Sequence, residues 1–130
     1  MEVNLPEIVA EVTAQFERYE TAFLSNDVAA LDELFWNDRL AVRYGAAENL
    51  YSHEAIARFR GQRSADDLDR EILYSLVTTF GRDVGVTSAE FRRTKSGVTG
   101  RQSQTWVRTD DGWRIVTAHV SQLDLQAAVR

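Results

Sequence analysis

The sequence predicts an α+β fold in which helices pack on one face of a single antiparallel sheet. Helical periodicity dominates the first sixty residues, whereas the residues after an acidic linker at 64–69 read as four strands with short turns. Helices followed by a meander of strands favour a helix layer on a sheet over alternating βα units. The 130 residues are expected to form one domain, spanning 1–130, that buries its own core.

The first helix is predicted from apolar residues that recur at steps of three and four, forming one stripe: Ile8, Val9, Val12, Phe16, Tyr19 and Phe23. Asn4 and Glu7 stand three residues apart and form an approximate capping box at its start. Pro6 is tolerated in the first turn of a helix. The polar segment 25–27 is expected to end this helix.

Two further helices and a short strand complete the N-terminal half. Asp27 is placed to cap a short second helix, and Ser52 to cap a third that ends near Gly61. Between these two helices, the apolar run 40–44 predicts a short strand, and the segment 45–47 turns the chain back. The helical half therefore also contributes to the sheet.

Four long strands are predicted in the second half of the chain, at 70–80, 84–93, 98–108 and 113–123. Glycine-containing or charged turns separate them, and Asp111-Gly112 between two β-branched and aromatic runs is a strong hairpin signal. Consecutive antiparallel hairpins are the expected arrangement.

The first of these strands is apolar on both faces. Strict alternation places Ile72, Tyr74, Leu76, Thr78 and Phe80 on one face, and Leu73, Ser75, Val77 and Thr79 on the other. Three helices can cover only one face of the sheet. We therefore expect a second copy of the chain to cover the other face in a two-fold homodimer.

Composition excludes several classes of function. The chain has no cysteine, so it has no disulfide and no thiolate metal site, and His53 and His119 lack the spacing of a helical zinc site. We therefore expect no metal. A net charge of −5 opposes nucleic-acid binding, and no P-loop, dinucleotide fingerprint or Ser-His-Asp order is present. The N-terminus carries neither a signal peptide nor a membrane span, so a soluble cytoplasmic protein is expected.

Several segments together resemble a known family. The run from Trp106 to Ser121 is typical of the nuclear-transport-factor-2-like (SnoaL-like) superfamily. Five motifs are similar to the small AtzH- and HpxZ-like proteins found beside amidases: LFWN at 34–37, VRYG at 42–45, ENLY at 48–51, TTFGR at 78–82 and GRQSQTW at 100–106. The resemblance implies a cone: three N-terminal helices packed on a strongly curved antiparallel sheet.

The resemblance also implies chemistry. AtzH-type proteins act in cyanuric acid catabolism as decarboxylating amidohydrolases that convert 1,3-dicarboxyurea to allophanate, and HpxZ-type proteins act in oxalurate degradation. We therefore expect a cofactor-independent hydrolase for a small anionic ureido compound. The alternative is a non-catalytic accessory module that binds an amidase, because the superfamily contains many assembly domains and a fold does not define a function.

Two residues are the candidate catalytic groups. Arg43 could point to solvent or pair with Glu48, or it could enter the cone and grip a substrate carboxylate with its planar fork. Tyr19 could be a core residue, or its hydroxyl could donate a proton to the nitrogen that loses its carboxyl group. Glu48 would then orient Arg43.

The candidate substrate-binding residues depend on which face of the last strands points inward. Gln102, Gln104 and Trp106 share one face of their strand, where the amides could read ureido N–H and C=O groups beside an apolar Trp106 wall. His119 could shape the same pocket or face the dimer partner. Arg60 could be a second cation at the opening or a solvated charge at a helix end.

Overall fold

The computed structural model describes residues 1–124, which form three helices and six strands. The elements are, in chain order, α1 (Pro6–Leu24), α2 (Val28–Leu34), β1 (Val42–Tyr44), β2 (Asn49–Tyr51), α3 (His53–Gln62), β3 (Arg70–Phe80), β4 (Val84–Arg93), β5 (Thr99–Thr109) and β6 (Gly112–Gln122). The predicted fold class, an α+β cone, is confirmed, and the four long strands lie within one residue of their predicted bounds. None of the helices in this part of the chain is long and apolar enough to cross a bilayer.

All six strands belong to one curved sheet that does not close, in the order β2-β1-β6-β5-β4-β3. The strands β3 to β6 form consecutive antiparallel hairpins, as predicted. The expectation of a wholly antiparallel sheet is wrong, because β1 runs parallel to β6, with Arg43 beside Ala118. The direction of β1 depends on where α2 delivers the chain to the sheet edge, and hydrophobic alternation carries no information about strand direction.

The first helix lies across the inner face of the sheet. Its predicted apolar stripe is largely buried, and the buried residues are Ile8, Val12, Phe16, Tyr19, Ala22 and Phe23. Full burial of such a side chain contributes roughly 1.5–3 kcal/mol. The helix approaches β4 closely at Gly85, where a Cβ atom would lie 2.8 Å from Val12 Cγ2.

Two of the three predicted helix caps are confirmed. Asp27 Oδ1 accepts a hydrogen bond from the Ala30 N–H at 3.1 Å, and Ser52 Oγ accepts one from the Ala55 N–H at 3.2 Å. The capping box at Asn4 is wrong. Asn4 instead pairs with Thr79 on the edge strand β3, donating its N–H to the carbonyl and accepting the Thr79 N–H on Oδ1. An exposed strand edge offers unpaired backbone groups that compete for the short asparagine side chain.

A β-bulge in β3 changes which residues share a face. The register shifts between Ile72 and Tyr74, so Ile72 lies beside the buried Phe91 on the inner face instead of sharing a face with Tyr74. On the outer face, Tyr74 and Leu76 are 59% and 53% exposed. Exposed apolar side chains on an otherwise regular sheet favour an interface. The homodimer through this face stays a prediction.

Replacing Leu76 by arginine should abolish that dimer, because a buried charge without a partner is costly in an apolar interface. Light scattering on the parent protein should give twice the 14.8 kDa mass of one chain, and the variant should give one chain mass. Leu40→Arg, at a 58% exposed position before β1, is the matched control and should remain dimeric. A monomeric parent protein at micromolar concentration would contradict the prediction.

Candidate anion-binding site

A cavity of about 160 Å³ lies between the helices and the inner face of the sheet. Its volume is small beside the roughly 300–1,000 Å³ of pockets for drug-sized ligands. The lining combines four arginines with one carboxylate, one amide and apolar side chains: Phe23, Arg43, Ala46, Ala47, Glu48, Phe59, Arg63, Leu68, Arg70, Arg93, Gln102 and Val120. The lining predicts a small, negatively charged ligand.

Arg43 enters the cavity from β1 and is only 6% exposed. Its Nη1 donates to Glu48 Oε1 at 2.9 Å, and its guanidinium lies 5.5 Å from the centre of the Phe59 ring. Gly45 leaves room for this ion pair, because a Cβ atom there would lie 1.7 Å from Glu48 Oε1. The arginine is therefore oriented by a carboxylate, as the sequence analysis proposed for Glu48.

Arg70 is the most tightly held of the four arginines. At the start of β3, its Nε and Nη2 donate to Glu20 Oε2 and Oε1 at 3.2 and 2.5 Å. Its guanidinium lies 3.9 Å from the Phe23 ring centre and 4.5 Å from that of Phe91. Nη2 also donates to Gln102 Oε1 at 3.2 Å. A bidentate ion pair between two aromatic rings is a rigid arrangement.

Arg63, just beyond the end of α3, carries a charge that no carboxylate in residues 1–124 neutralises. Its Nε and Nη2 are buried and have no hydrogen-bond partner in that range. Burial, reinforced by repulsion from Arg60, lowers the pKa of Arg63 to about 10. The group is still protonated at neutral pH, so its burial has a cost that an anion would offset.

Arg93, at the end of β4, is in a similar position. Its Nη1 donates only to a neutral acceptor, the Asp67 carbonyl oxygen, at 2.8 Å. Burial, followed by repulsion from Arg70, lowers the pKa of Arg93. Only two of the four arginines thus form ion pairs among the described residues, Arg43 with Glu48 and Arg70 with Glu20. The Asp67 carboxylate attracts Arg93 and raises its pKa against the effect of burial, but it forms no ion pair with Arg93.

Tyr19 is 1% exposed and lies one helical turn before the cavity-lining Phe23, with 6.2 Å between the ring centres. Among residues 1–124, nothing forms a hydrogen bond with its hydroxyl. Electrostatic interaction with Tyr19 raises the pKa of Arg63, against the effect of burial. The hydroxyl is therefore an uncommitted donor in the electrostatic environment of the cavity.

Like Tyr19, three other predicted residues lie inside the fold but outside the cavity lining. Arg60 is buried rather than solvated, and its Nη1 forms an ion pair with Asp32 Oδ1 at 3.3 Å. Its effect on the cavity is electrostatic, because it repels the charge of Arg63 and lowers the pKa of that group. Gln104 and Trp106 point inward, yet both hydrogen bond to Thr87 in the core. Gln104 Nε2 has no partner among residues 1–124, but neither residue lines the cavity, so the predicted contact with a ligand there is not supported.

The predicted role of His119 in the pocket also requires correction. His119 pairs with Tyr44 across the two strands, whereas the preceding pair, Ala118 and Arg43, faces the cavity. Alternation along the strand directs His119 to the outer face, where it lines a shallow groove with Arg101, Ser103 and Ser121. The sheet lies between His119 and the cavity, so no ligand in the cavity can touch it.

The sequence analysis missed three of the four cavity arginines, Arg63, Arg70 and Arg93. Each stands at or just beyond the end of a helix or strand, a position typical of solvated charges. For Arg93 the sequence did contain a signal of burial, because Phe91 stands two residues earlier and shares its face of the strand. In the structure the Arg93 guanidinium lies over the Phe91 ring. No group of three histidine or carboxylate side chains within residues 1–124 is placed to hold a metal ion.

Comparison with solved structures defines the class of fold. A nuclear-transport-factor-2-like superfamily protein from Salmonella enterica superposes with a TM-score of 0.75 at 20% identity, covering 95% of this chain and 98% of that chain. A putative ketosteroid isomerase from Parabacteroides distasonis gives a TM-score of 0.71 at 14% identity, covering 85% and 86%. At these identities the likeness establishes the cone fold alone.

The chain belongs to the AtzH-like family, whose sequence profile matches residues 1–126. A protein of unknown function from Pectobacterium atrosepticum is 54% identical with a TM-score of 0.91, covering 94% of this chain and 95% of that chain. A cystatin-like fold protein from Burkholderia xenovorans is 44% identical with a TM-score of 0.92, covering 96% and 98%. No functionally curated protein matches the chain.

Replacing Arg63 by glutamine should stabilise the free protein and weaken its binding of anions. The folded state lowers the pKa of this base, so below that pKa the charge opposes folding, and removing it should raise the melting temperature by a few degrees. Thermal melts with and without glutarate would measure both effects. Arg92→Gln, at an exposed position paired with Glu71, should change neither the melting temperature nor the stabilisation by glutarate. Equal stabilisation by glutarate in the parent protein and in Arg63→Gln would contradict the assignment.

Replacing Gly45 by alanine should displace Glu48 from Arg43, because the new methyl group would occupy the position of the carboxylate. We expect a loss of roughly 1–3 kcal/mol in stability, measured by urea unfolding, since Arg43 would be left buried without its partner. Gly61→Ala is the control, because a Cβ atom there meets nothing within 4 Å and the position is helical. Unchanged stability in Gly45→Ala would show that the ion pair is not needed.

Proposed function

We propose that this protein is a cofactor-independent enzyme that removes a carboxyl group from a small carboxylated urea, converting 1,3-dicarboxyurea to allophanate. The observation that carries the proposal is the excess of cations at the cavity: four arginines against two carboxylates. Charges shielded from water are normally paired, so the two arginines without an ion pair favour a ligand that carries negative charge.

The size and the net charge of the protein support the same ligand class. A cavity of about 160 Å³ suits a compact molecule rather than a steroid or a nucleotide. The whole chain carries a charge of −5, which repels a dianion at long range, so only a local cluster of cations can retain one. Arg63 and Arg93, which form no ion pair with a carboxylate in the described structure, would bind the carboxylate that is kept.

The reaction needs cationic groups that bind the substrate carboxylates and one proton donor. As the N–C bond to the leaving carboxyl group breaks, its electron pair stays on the nitrogen, which takes a proton, and carbon dioxide leaves. Alternatively, water first attacks the carbon of the leaving carboxyl group, the same N–C bond then breaks, and bicarbonate leaves. In both routes the nitrogen receives one proton and the product is allophanate, so one positioned donor serves either route.

Tyr19 is the proposed proton donor and Arg43 the group that binds and polarises the leaving carboxyl. The Tyr19 hydroxyl has no partner among residues 1–124, which supports its availability for substrate. Arg43 already pairs with Glu48, so its charge stays compensated when the substrate carboxylate becomes neutral carbon dioxide. A permanent, unshared arginine at that position would hold the ground-state carboxylate too firmly to favour its loss.

Tyr19→Phe and Arg43→Ala should each lower the turnover of 1,3-dicarboxyurea by roughly 10²–10³, the loss expected when one transition-state donor is removed. Release of carbon dioxide or bicarbonate and appearance of allophanate would be measured with the dimer and fold verified. Tyr51→Phe and Arg92→Ala are matched controls at exposed positions and should keep the parent rate.

Two outcomes would redirect the assignment. Near-parent turnover in both Tyr19→Phe and Arg43→Ala would remove these residues from the mechanism. Tight binding of dicarboxylates without any turnover by the parent protein would instead favour an accessory module that carries a small anion for a partner amidase. Co-purification with that amidase in fixed stoichiometry would support the accessory role.

A further inference from the structure

Gln102 carries a side-chain amide whose orientation is determined by its neighbours. It points inward from β5, lines the cavity and is 2% exposed. Its Oε1 accepts a hydrogen bond from Arg70 Nη2 at 3.2 Å. A guanidinium can only donate hydrogen bonds, so the amide oxygen, not the amide nitrogen, must face Arg70.

The opposite side of the same amide is left without a partner. Gln102 Nε2 is buried and forms no hydrogen bond within residues 1–124. Rotating the amide would place its N–H groups against the guanidinium, and Arg70 itself is held by Glu20 and two phenylalanine rings. The nitrogen is therefore a buried donor of fixed orientation on a residue that lines the cavity, and a buried donor without a hydrogen-bond partner has a free-energy cost.

We infer that Gln102 is a specificity-determining residue that selects ligands with a carbonyl oxygen between their two anionic groups. The inference rests on the proposed function, because it takes the cavity to bind a dianion. The four arginines recognise negative charge and do not distinguish one dicarboxylate from another. A neutral amide donor among them can hydrogen bond to a carbonyl oxygen at the middle of the ligand, whereas a methylene at that position offers it no acceptor.

Gln104 provides an internal comparison on the same strand and face. Its Oε1 accepts from Thr87 Oγ1 at 3.1 Å, Thr87 in turn accepts the Trp106 Nε1–H, and Gln104 Nε2 is likewise buried without a partner among residues 1–124. Gln104 does not line the cavity, however. The two glutamines therefore share their chemistry and burial and differ in access to a ligand.

The test compares the binding of two dicarboxylates that have the same chain length. Freshly dissolved 3-oxoglutarate has a central carbonyl between two carboxylates, and glutarate has a methylene there. Calorimetry in the cold on the parent protein should show 3-oxoglutarate binding roughly 3- to 10-fold more tightly, as expected for one hydrogen bond to a neutral acceptor. This comparison needs no variant and no turnover.

Gln102→Met keeps the side-chain volume and removes the donor, so it should bring the two affinities together while glutarate binding changes little. Gln104→Met, with melting temperatures checked for both variants, should retain the preference. Equal affinities in the parent protein, or an unchanged preference in Gln102→Met, would overturn the inference while leaving the anion site standing. Failure of both ligands to bind would instead contradict the anion site and the proposed function with it.

Discussion

The burial of positive charge beneath the helices is the constraint on which the site depends. Arg43 and Arg70 are nearly inaccessible, and each is balanced by a carboxylate and an aromatic ring: Glu48 with Phe59, and Glu20 with Phe23. Compensation of this kind makes a buried guanidinium tolerable. Because only two of the four arginines form ion pairs among the described residues, we propose that the free protein retains positive charge at the cavity that an anion would offset.

The sheet provides the rigid frame that holds these charges together. Arg43, Arg70 and Arg93 come from three different strands, and each points inward because strand register determines its face. The bulge between Ile72 and Tyr74 allows Arg70 and Val77 to share the inner face despite their odd separation along the strand. Groups positioned on strands rather than on loops keep their geometry when a ligand binds, which favours preorganised recognition.

The chemistry that such a site can support is limited and specific. Within residues 1–124, the cavity lining contains no serine, histidine or tyrosine, and the Tyr19 hydroxyl, which has no partner in that range, belongs to a ring stacked on the lining residue Phe23. Removal of carbon dioxide from a nitrogen requires charge stabilisation and one proton rather than a covalent nucleophile. The arginine-rich cavity therefore supports the proposed class of small anionic ligand.

Local sequence patterns were sufficient to predict the helices, the four long strands, the α+β class and two of the helix caps, and they offered the pairing of Arg43 with Glu48 as one of several alternatives. These depend on local periodicity, turn chemistry and short separations along the chain, which a sequence displays directly. Only the tertiary structure decided the parallel pairing of β1 with β6, the inner face of Gln102, the outward direction of His119 and the convergence of Arg63, Arg70 and Arg93. Each depends on register or on contacts between distant segments, and an arginine at the end of a strand looks the same in sequence whether it meets water or a buried cavity.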